Sequence, residues 1–121
     1  MKRTRSGTRC RQGDVILLPF PFTDLAAVKR RPALVVSSDR FHTHFEDVIL
    51  VAMTSLVPPA LTEFEMLLRS RDMALGHLPK PSVVKLGKIF TAHRSLIVKR
   101  VGRVQKGSLM KILARLRQLF T

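Results

Sequence analysis

The stretch Gly13-Asp14-Val15-Ile16-Leu17-Leu18-Pro19-Phe20 decides the fold class, because it sets a continuous apolar run between a turn-forming pair and a proline. A short apolar run with such limits is typical of a buried β-strand, which we assign to Val15–Phe20. Pro19 and Pro21 end this strand, and the following residues, Pro21–Arg31, are predicted to be a loop that Pro32 closes.

Outward from this strand, the chain repeats the pattern of short apolar runs separated by turn residues. The residues 40–46 show no clear period, and Gly76–Pro81 is predicted to be a loop because it holds two prolines. The region Ser82–His93 is either a pair of strands or one bent strand with Gly87 at the kink. The remaining predicted strands are Ala33–Val36, Asp47–Thr54, the weaker Glu63–Leu68, and Ile97–Val104, which is half-buried with a basic outer face.

The last segment changes to helical spacing, with apolar residues from Leu109 to Phe120 on one side and Lys111, Arg115 and Arg117 on the other. Five or six short strands with one terminal helix predict a mainly β fold, a small, partly open antiparallel barrel with a C-terminal α-helix. The chain of 121 residues fits one domain, which we place at residues 13–121. The basic segment Met1–Gln12 is predicted to be a disordered arm that contacts phosphates, a solvated tail, or a misassigned start.

The charge of the chain points to its partners. Lys and Arg number 22 against 8 acidic residues, which gives a net charge of +14 and favours nucleic acid as partner. An acidic protein would be attracted by the same field, whereas no long amphipathic helix suits a membrane. No apolar stretch follows the basic N-terminus, so we expect no secretory signal and a cytoplasmic location. The single cysteine, Cys10, is interpreted as a reduced thiol without a catalytic role.

The sequence offers few candidates for chemistry. The four histidines are not supported by carboxylates or cysteines at ligand spacing, so we expect no metal and no cofactor. Arg31 is singled out because Pro32 favours an extended backbone before it, and a guanidinium held in this way can bind a phosphate through two hydrogen bonds. Thr54 ends an apolar strand and is followed by Ser55, so that hydroxyls at the strand end could bind phosphate oxygens. Each has a simpler interpretation, a solvated cation for Arg31 and a backbone-bonded hydroxyl for Thr54.

The loop after the first strand adds candidates for RNA binding. Phe22 would stack on a base if its ring is exposed, and would belong to the core if it is buried. Thr23 follows it, and Lys29 and Arg30 stand directly before Arg31. His93, beside Arg94, is a weaker candidate for assisting proton transfer.

Three segments together resemble the PemK/MazF toxin family. They are Gly13–Leu25, then Lys29-Arg30-Arg31-Pro32-Ala33-Leu34-Val35-Val36, then Asp47–Ser55, and the similarity continues through Pro81–Leu86 and Lys88–Thr91 to the closing helix. No single motif is diagnostic, but the ordered series covers residues 13–120. The resemblance implies an SH3-like barrel assembled as a two-fold homodimer, and a type II toxin that an acidic antitoxin inhibits.

The resemblance also implies an activity, which is metal-independent and sequence-selective cleavage of single-stranded messenger RNA. The RNA's own 2′-hydroxyl attacks the adjacent phosphorus and leaves a cyclic phosphate and a 5′-hydroxyl. The family's arginine before proline falls on Arg31 and its threonine at the end of the third strand on Thr54. The sequence departs from the family pattern at two positions. Leu56 stands where many relatives have glutamine, which concerns the choice of RNA sequence, and Gly87 stands where many have an acid, which concerns the dimer or the RNA groove.

Two other functions are compatible with the same barrel. One is a toxin related to CcdB that inhibits a topoisomerase without nuclease activity, and which would tolerate loss of Arg31. The other is a nucleic-acid-binding barrel without catalysis, which the charge alone would support.

Overall fold

The computed structural model describes residues 9–20 and 29–121, and in this part of the chain seven strands form one antiparallel sheet. The order across the sheet is β4-β6-β3-β2-β1-β7-β5. The strands and two helices are β1 Asp14–Pro19, β2 Arg30–Val35, α1 Asp39–His42, β3 Asp47–Thr54, β4 Glu65–Leu68, β5 Met73–Gly76, β6 Ser82–His93, β7 Lys99–Val104 and α2 Lys106–Arg117. Short 3₁₀ turns follow β4, β6 and α2, at Ser70–Asp72, Arg94–Leu96 and Gln118–Phe120.

The predicted mainly β fold with a C-terminal helix is confirmed, and the differences lie at particular elements. β2 begins at Arg30, so that Arg31 and Pro32 lie in the strand rather than in the loop before it. Pro32 is tolerated in this strand because it lies opposite Leu17 of β1, and the pairing with β1 does not require a hydrogen bond from the Pro32 nitrogen.

Two elements were missed by the sequence analysis. α1 forms where no period was visible, because Ser38 caps it by accepting a hydrogen bond from the Phe41 N–H at 3.1 Å. β5 is only four residues long and is stabilised by a close approach to β7. A Cβ on Gly102 would lie 2.4 Å from the carbonyl oxygen of Leu75, so this approach requires a glycine.

β6 settles the choice between two strands and one bent strand in favour of the bent strand. Val51 of β3 lies opposite Ile89 of β6, whereas the next residue of β3, Ala52, lies opposite Lys85. The three residues of β6 between these two pairs, around Gly87, therefore have no partner on β3. This irregularity bends the strand where the glycine was predicted to kink it.

The central strands are buried on both faces. One face, with Leu34, Val51 and Ile112 of α2, forms a core under the helix. The opposite face forms a second core, in which Ala33, Val35, Leu50 and Ala52 pack with Phe90. We refer to the sheet surface of this second core as the arginine face, because Arg31 lies at its edge.

A buried carboxylate fixes the start of β1 to β7. Asp14 is fully buried, accepts a hydrogen bond from the Arg11 N–H at 2.9 Å, and accepts another from Nε of Arg103 at 2.6 Å. Arg103 therefore points toward the carboxylate and is largely buried, whereas the sequence placed it on a basic outer face. Gln12 is also tied down, through its N–H to Asp39 at 2.9 Å, so the last residues of the predicted arm are held to the domain.

Neither helix within residues 9–20 and 29–121 has the length and apolarity that crossing a bilayer demands.

Candidate functional site

Arg31 occupies the edge of the arginine face. It lies second in β2, opposite Leu18 of β1, and its side chain is exposed. Its guanidinium carbon lies 5.7 Å from the centre of the Phe20 ring, a distance at which the ring face attracts a cation. The side chain therefore has a defined resting place while its hydrogen-bond donors remain accessible.

Phe20 is itself held by the second core. Its ring packs edge-on against Phe90, with centroids 5.1 Å apart and an interplanar angle of 72°. Phe90 is buried, so the core fixes the position of the Phe20 ring, and this ring in turn contacts the Arg31 guanidinium. The sequence predicted Phe20 as the end of the first strand and part of the core, but not its contact with Arg31, because a contact between the end of one strand and the start of the next is not visible in a linear pattern.

Thr54 is the last residue of β3 and is half-buried. Its hydroxyl oxygen accepts a hydrogen bond from the Leu56 N–H at 3.1 Å. The simpler interpretation of Thr54, a hydroxyl that bonds to the backbone at the strand end, is therefore present in the structure. The same bond leaves the hydroxyl hydrogen available for an acceptor, because a hydroxyl can accept and donate at once.

The register of β2 and β3 relates the two residues. The last recorded pair is Ala33 with Ala52, and the ladder ends there because Pro32 has no N–H to donate. Beyond this pair β2 continues by three residues and β3 by two. The same register, extended by two residues, would set Arg31 across from Thr54. Side chains alternate along a strand, so Arg31 and Thr54 lie on the same face of the sheet as Ala33 and Ala52.

The other predicted site residues are less well defined. Lys29, Arg30 and Ser55 are exposed near the same end of the sheet. Phe22 and Thr23 lie outside the described residues. The described residues on either side of them are joined by a hydrogen bond from the Phe20 N–H to the Lys29 carbonyl at 3.2 Å.

Lys85 is a residue at this end of the sheet that the sequence analysis did not select. It pairs with Ala52 from the β6 side, two residues from the partner of Thr54, and forms an ion pair with Glu65 at 3.6 Å. A backbone hydrogen bond from Thr62 lowers the pKa of Glu65, and Lys85 adds to this effect. The family-like run Val83-Val84-Lys85 was the available signal, since it contains a cation between apolar residues.

His93 does not belong to this group. It ends β6 opposite Asp47, at the other end of β3 from Thr54. Its Nδ1 accepts from the Ser95 N–H at 3.1 Å and contacts the Ser95 hydroxyl at 2.8 Å. His93 therefore lies away from Arg31 and Thr54 and caps the turn after β6, and its part in proton transfer stays a prediction that these contacts do not support.

The two departures from the family pattern are both exposed. Leu56 has 82 % of its surface exposed and directly follows the Thr54-Ser55 pair. Gly87 has no atom within 4 Å of the place where a Cβ would stand, so nothing in the described chain requires a glycine there.

Cys10 is half-buried beside the second core. Burial raises the pKa of its thiol to about 11, and the nearby Asp14 carboxylate adds to the effect. Such a thiol is almost entirely protonated at neutral pH and is a poor nucleophile. In the part of the chain that the structure describes, no group of three or more His, Cys, Asp or Glu residues is arranged to hold a metal ion.

Comparison with protein families and solved structures gives a coherent set of similarities. The model of a family described as PemK-like, MazF-like toxin of type II toxin–antitoxin system matches residues 11–120. A search of the curated proteins by sequence found no match.

Three solved structures illustrate the similarity in fold. A mycobacterial endoribonuclease in complex with its cognate antitoxin superposes with a TM-score of 0.73 at 19 % identity, covering 93 % of this chain and 95 % of that one. MazF in a MazE–MazF complex from Deinococcus radiodurans gives a TM-score of 0.69 at 21 % identity, covering 92 % and 95 %. The Mycobacterium tuberculosis toxin MazF-mt6 gives 0.68 at 18 % identity, covering 88 % and 95 %. At these identities the likeness establishes the fold.

Proposed function

The chain belongs to the PemK-like, MazF-like toxins of type II toxin–antitoxin systems, and from this premise we propose that it is an endoribonuclease that cuts single-stranded messenger RNA without a metal ion. The observation that supports the proposal is the register of β2 and β3, which pairs Ala33 with Ala52 and, extended by two residues, would set Arg31 across from Thr54 on one face of the sheet. A cation and a hydroxyl at such positions suit the phosphodiester of a nucleic acid. Toxins of this family are endoribonucleases, and one of the solved structures with this fold is named as such.

The reaction uses a nucleophile that the substrate supplies. The RNA 2′-hydroxyl loses its proton and attacks the adjacent phosphorus, the bond from phosphorus to the 5′ oxygen breaks, and that oxygen takes a proton. The products are a 2′,3′-cyclic phosphate and a 5′-hydroxyl. DNA lacks the attacking group and would not be cut.

Arg31 acts mainly by stabilising charge. Its guanidinium donates two hydrogen bonds to the non-bridging oxygens, which gain negative charge as the phosphorus becomes five-coordinate. Its contact with Phe20 limits the rotation of the side chain before RNA binds. Arginine is a poor general base because its guanidinium holds its proton too tightly at neutral pH, so proton transfer is the smaller part of its role.

Thr54 binds the same phosphate. Its hydroxyl hydrogen donates to a phosphate oxygen while its oxygen keeps the Leu56 N–H bond, which fixes the direction of the donor. Ser55, Lys29 and Arg30 are exposed at this end of the sheet and would contact the flanking phosphates or bases. Phe22 and Thr23 remain predicted contacts of the RNA.

The inhibitor of this toxin is proposed to be an acidic antitoxin. A chain with a net charge of +14 attracts an acidic segment as it attracts RNA, so one surface can serve both. Two of the similar solved structures are complexes of a toxin with its antitoxin. We further propose that the toxin acts as a homodimer in the cytoplasm, where messenger RNA is found.

The test is cleavage of single-stranded RNA in EDTA by the wild type, Arg31→Ala and Arg117→Ala. Arg117 is an exposed cation on α2, so its removal matches the charge loss without touching the arginine face. We expect cleavage by the wild type and Arg117→Ala, a loss of at least about a hundredfold in Arg31→Ala, and equal melting temperatures for all three. An RNA with a single 2′-deoxy nucleotide at the cut site should remain intact.

Other outcomes would select another function. RNA that is bound but never cut would indicate a binding barrel without catalysis. Inhibition of a topoisomerase with no effect on RNA would indicate the other class of toxin.

A further inference from the structure

A pocket of the described chain has neither Arg31 nor Thr54 in its lining. It has a volume of about 580 Å³ and is formed by the segment before β1, α1 and the turn after it, the start of β3, the turn after β6, and β7. Val48 lines it and lies on the same side of β3 as Thr54, because the two are six residues apart in an alternating strand. Six residue steps of β3 therefore separate Val48 from Thr54 by roughly 20 Å along one face. The other side of the pocket comes closer to Arg31, because Arg100 pairs with Ile16, two residues along β1 from the partner of Arg31.

The pocket is rich in guanidinium groups, and we call it the arginine pocket. Five arginines line it, against three carboxylates from Asp39, Glu46 and Asp47. Two of those carboxylates are already engaged, since Glu46 pairs with Arg94 at 2.8 Å and Asp39 accepts from the Gln12 N–H at 2.9 Å. The five arginines are Arg9, Arg11, Arg94, Arg100 and Arg103.

Arg100 is the cation best placed for a ligand. Its nearest carboxylate is Asp14 at 3.9 Å, which is too long for a hydrogen bond, and Asp14 already accepts bonds from Arg103 and the Arg11 N–H. The Arg100 side chain is 42 % exposed. Its guanidinium donors are therefore available to an acceptor that enters the pocket.

His42 lines the same pocket. Its Nε2 lies 2.6 Å from the hydroxyl oxygen of Ser37, and its Nδ1 is buried without a hydrogen-bond partner in the described chain. Asp39, the nearest carboxylate, lies 3.9 Å from Nδ1. Neither ring nitrogen therefore faces a ligand, and His42 contributes to the pocket wall as a ring whose NMR resonances report on what enters.

An aromatic ring stands at the border of the same pocket. Phe45 is 57 % exposed, and its ring lies 4.9 Å from that of Phe41 and 6.3 Å from that of His44. A large apolar ring that water contacts on more than half its surface offers a face to a planar group. Bases of single-stranded RNA stack on such rings whatever their sequence.

We propose that the arginine pocket is a second RNA-binding site, which holds a nucleotide of the substrate at a distance from the bond that is cut. The nucleotide's phosphate contacts Arg100, and its base stacks on Phe45. The inference rests on the proposed function, because it assumes that the chain acts on single-stranded RNA.

The mixed lining favours RNA over an acidic peptide. An acidic peptide offers carboxylates, which suit the guanidinium groups but are repelled by Asp47 and Asp39. A nucleotide offers a phosphate for the arginines and, on its base, amino donors that a carboxylate can accept. The side chains of an acidic peptide also do not stack on an aromatic ring such as that of Phe45.

The experiment measures binding of a 2′-O-methyl oligonucleotide, which has no free 2′-hydroxyl and cannot be cut by the proposed reaction. The variant Phe45→Ala/Arg100→Ala is compared with the control Arg117→Ala/Phe120→Ala, which removes one cation and one exposed ring from the C-terminal helix and the turn after it. We expect the pocket variant to bind about tenfold or more weakly, since loss of one stacked base alone lowers affinity at least about fivefold. The control should change less than twofold, and both should melt with the wild type.

A second measurement uses the unmodified protein. Titration with the mononucleotide adenosine monophosphate should shift the ring resonances of His42 before those of His77, which lies outside the pocket. Equal loss of affinity in the two double variants, or unshifted His42 resonances, would overturn the proposal. Loss of binding to polyglutamate with RNA affinity retained would identify a protein-docking site instead. Oligonucleotide binding at the pocket by a protein that never cuts RNA would refute the proposed function alone.

Discussion

Arg31 illustrates how a flexible cation can be prepared for a phosphate. A free arginine side chain gives up about 2 kcal/mol of rotamer entropy when it is fixed by a ligand. The Phe20 ring, 5.7 Å from the guanidinium, removes part of this freedom before RNA arrives. Because Phe20 rests edge-on against Phe90, the position of the cation depends on the packing of the second core.

This dependence predicts the behaviour of Phe20→Leu. Leucine keeps an apolar contact with Phe90 but removes the aromatic face beneath Arg31, whose attraction for a cation is worth about 0.5–2 kcal/mol. We expect the cleavage rate to fall about two- to thirtyfold, with kcat affected more than KM, while the far-ultraviolet circular dichroism is unchanged. Wild-type kcat in a folded Phe20→Leu protein would show that the ring does not position Arg31.

Thr54 allows its two hydrogen bonds to be separated. Thr54→Ser keeps a hydroxyl that can accept from the Leu56 N–H and donate to a phosphate, whereas Thr54→Ala loses both. We expect Thr54→Ala to lower kcat about ten- to a hundredfold at a cost to stability of about 1 kcal/mol or less, because the freed N–H is exposed to water. Thr54→Ser should retain most of the rate in single-turnover assays. Equal rates for the two variants would assign Thr54 a purely structural role.

At the scale of elements, the sequence predicted strands best where apolar runs are long. Asp47–Thr54 was assigned with the same bounds that the structure shows, because eight residues of this composition can only be buried. β5 was missed because Met73–Gly76 is too short and too exposed to show a pattern. Its existence depends on β7, and a contact between distant segments leaves no local trace.

The same reasoning explains what was predictable about the candidate site. Arg31 was selected because Pro32 limits its backbone conformation. Thr54 was selected because it stands at the end of an apolar strand. Phe20 and Lys85 were not selected as site residues, because their relation to the pair arises from the pairing of β1 with β2 and of β3 with β6. Nothing in the spacing of the sequence encodes that pairing.

Two glycines provide a test of how β5 is held. A Cβ on Gly102 would lie 2.4 Å from the Leu75 carbonyl oxygen, whereas a Cβ on Gly87 would meet no atom within 4 Å. Gly102→Ala should therefore force β5 away from β7 and lower the free energy of unfolding by about 1–3 kcal/mol. Gly87→Ala should leave stability within about 0.5 kcal/mol of the wild type. Denaturant unfolding of both variants decides this, and a stable Gly102→Ala protein would contradict the geometry.

At the scale of the whole molecule, the two arginines proposed to contact RNA lie on the two strands that flank β1. Arg31 pairs with Leu18, and Arg100 pairs with Ile16, two residues away along β1. A chain with a net charge of +14 attracts RNA over its entire surface. Such general attraction would not depend on which phosphates an RNA carries, whereas two fixed contacts, each to its own phosphate, would.

Salt titrations with RNAs of two lengths distinguish these cases. For single strands, each neutralised phosphate contributes about 0.7 to the slope of log affinity against log salt. With an RNA long enough to reach both arginines, Arg31→Ala and Arg100→Ala should each lower the slope by about 0.7, and the double variant by about 1.4. A dinucleotide with a single phosphodiester has one phosphate to neutralise, so the double variant should lose no more than about 0.7 of the slope with it. Identical losses for both lengths would mean that the two arginines act through the overall field and not through separate contacts on one strand of RNA.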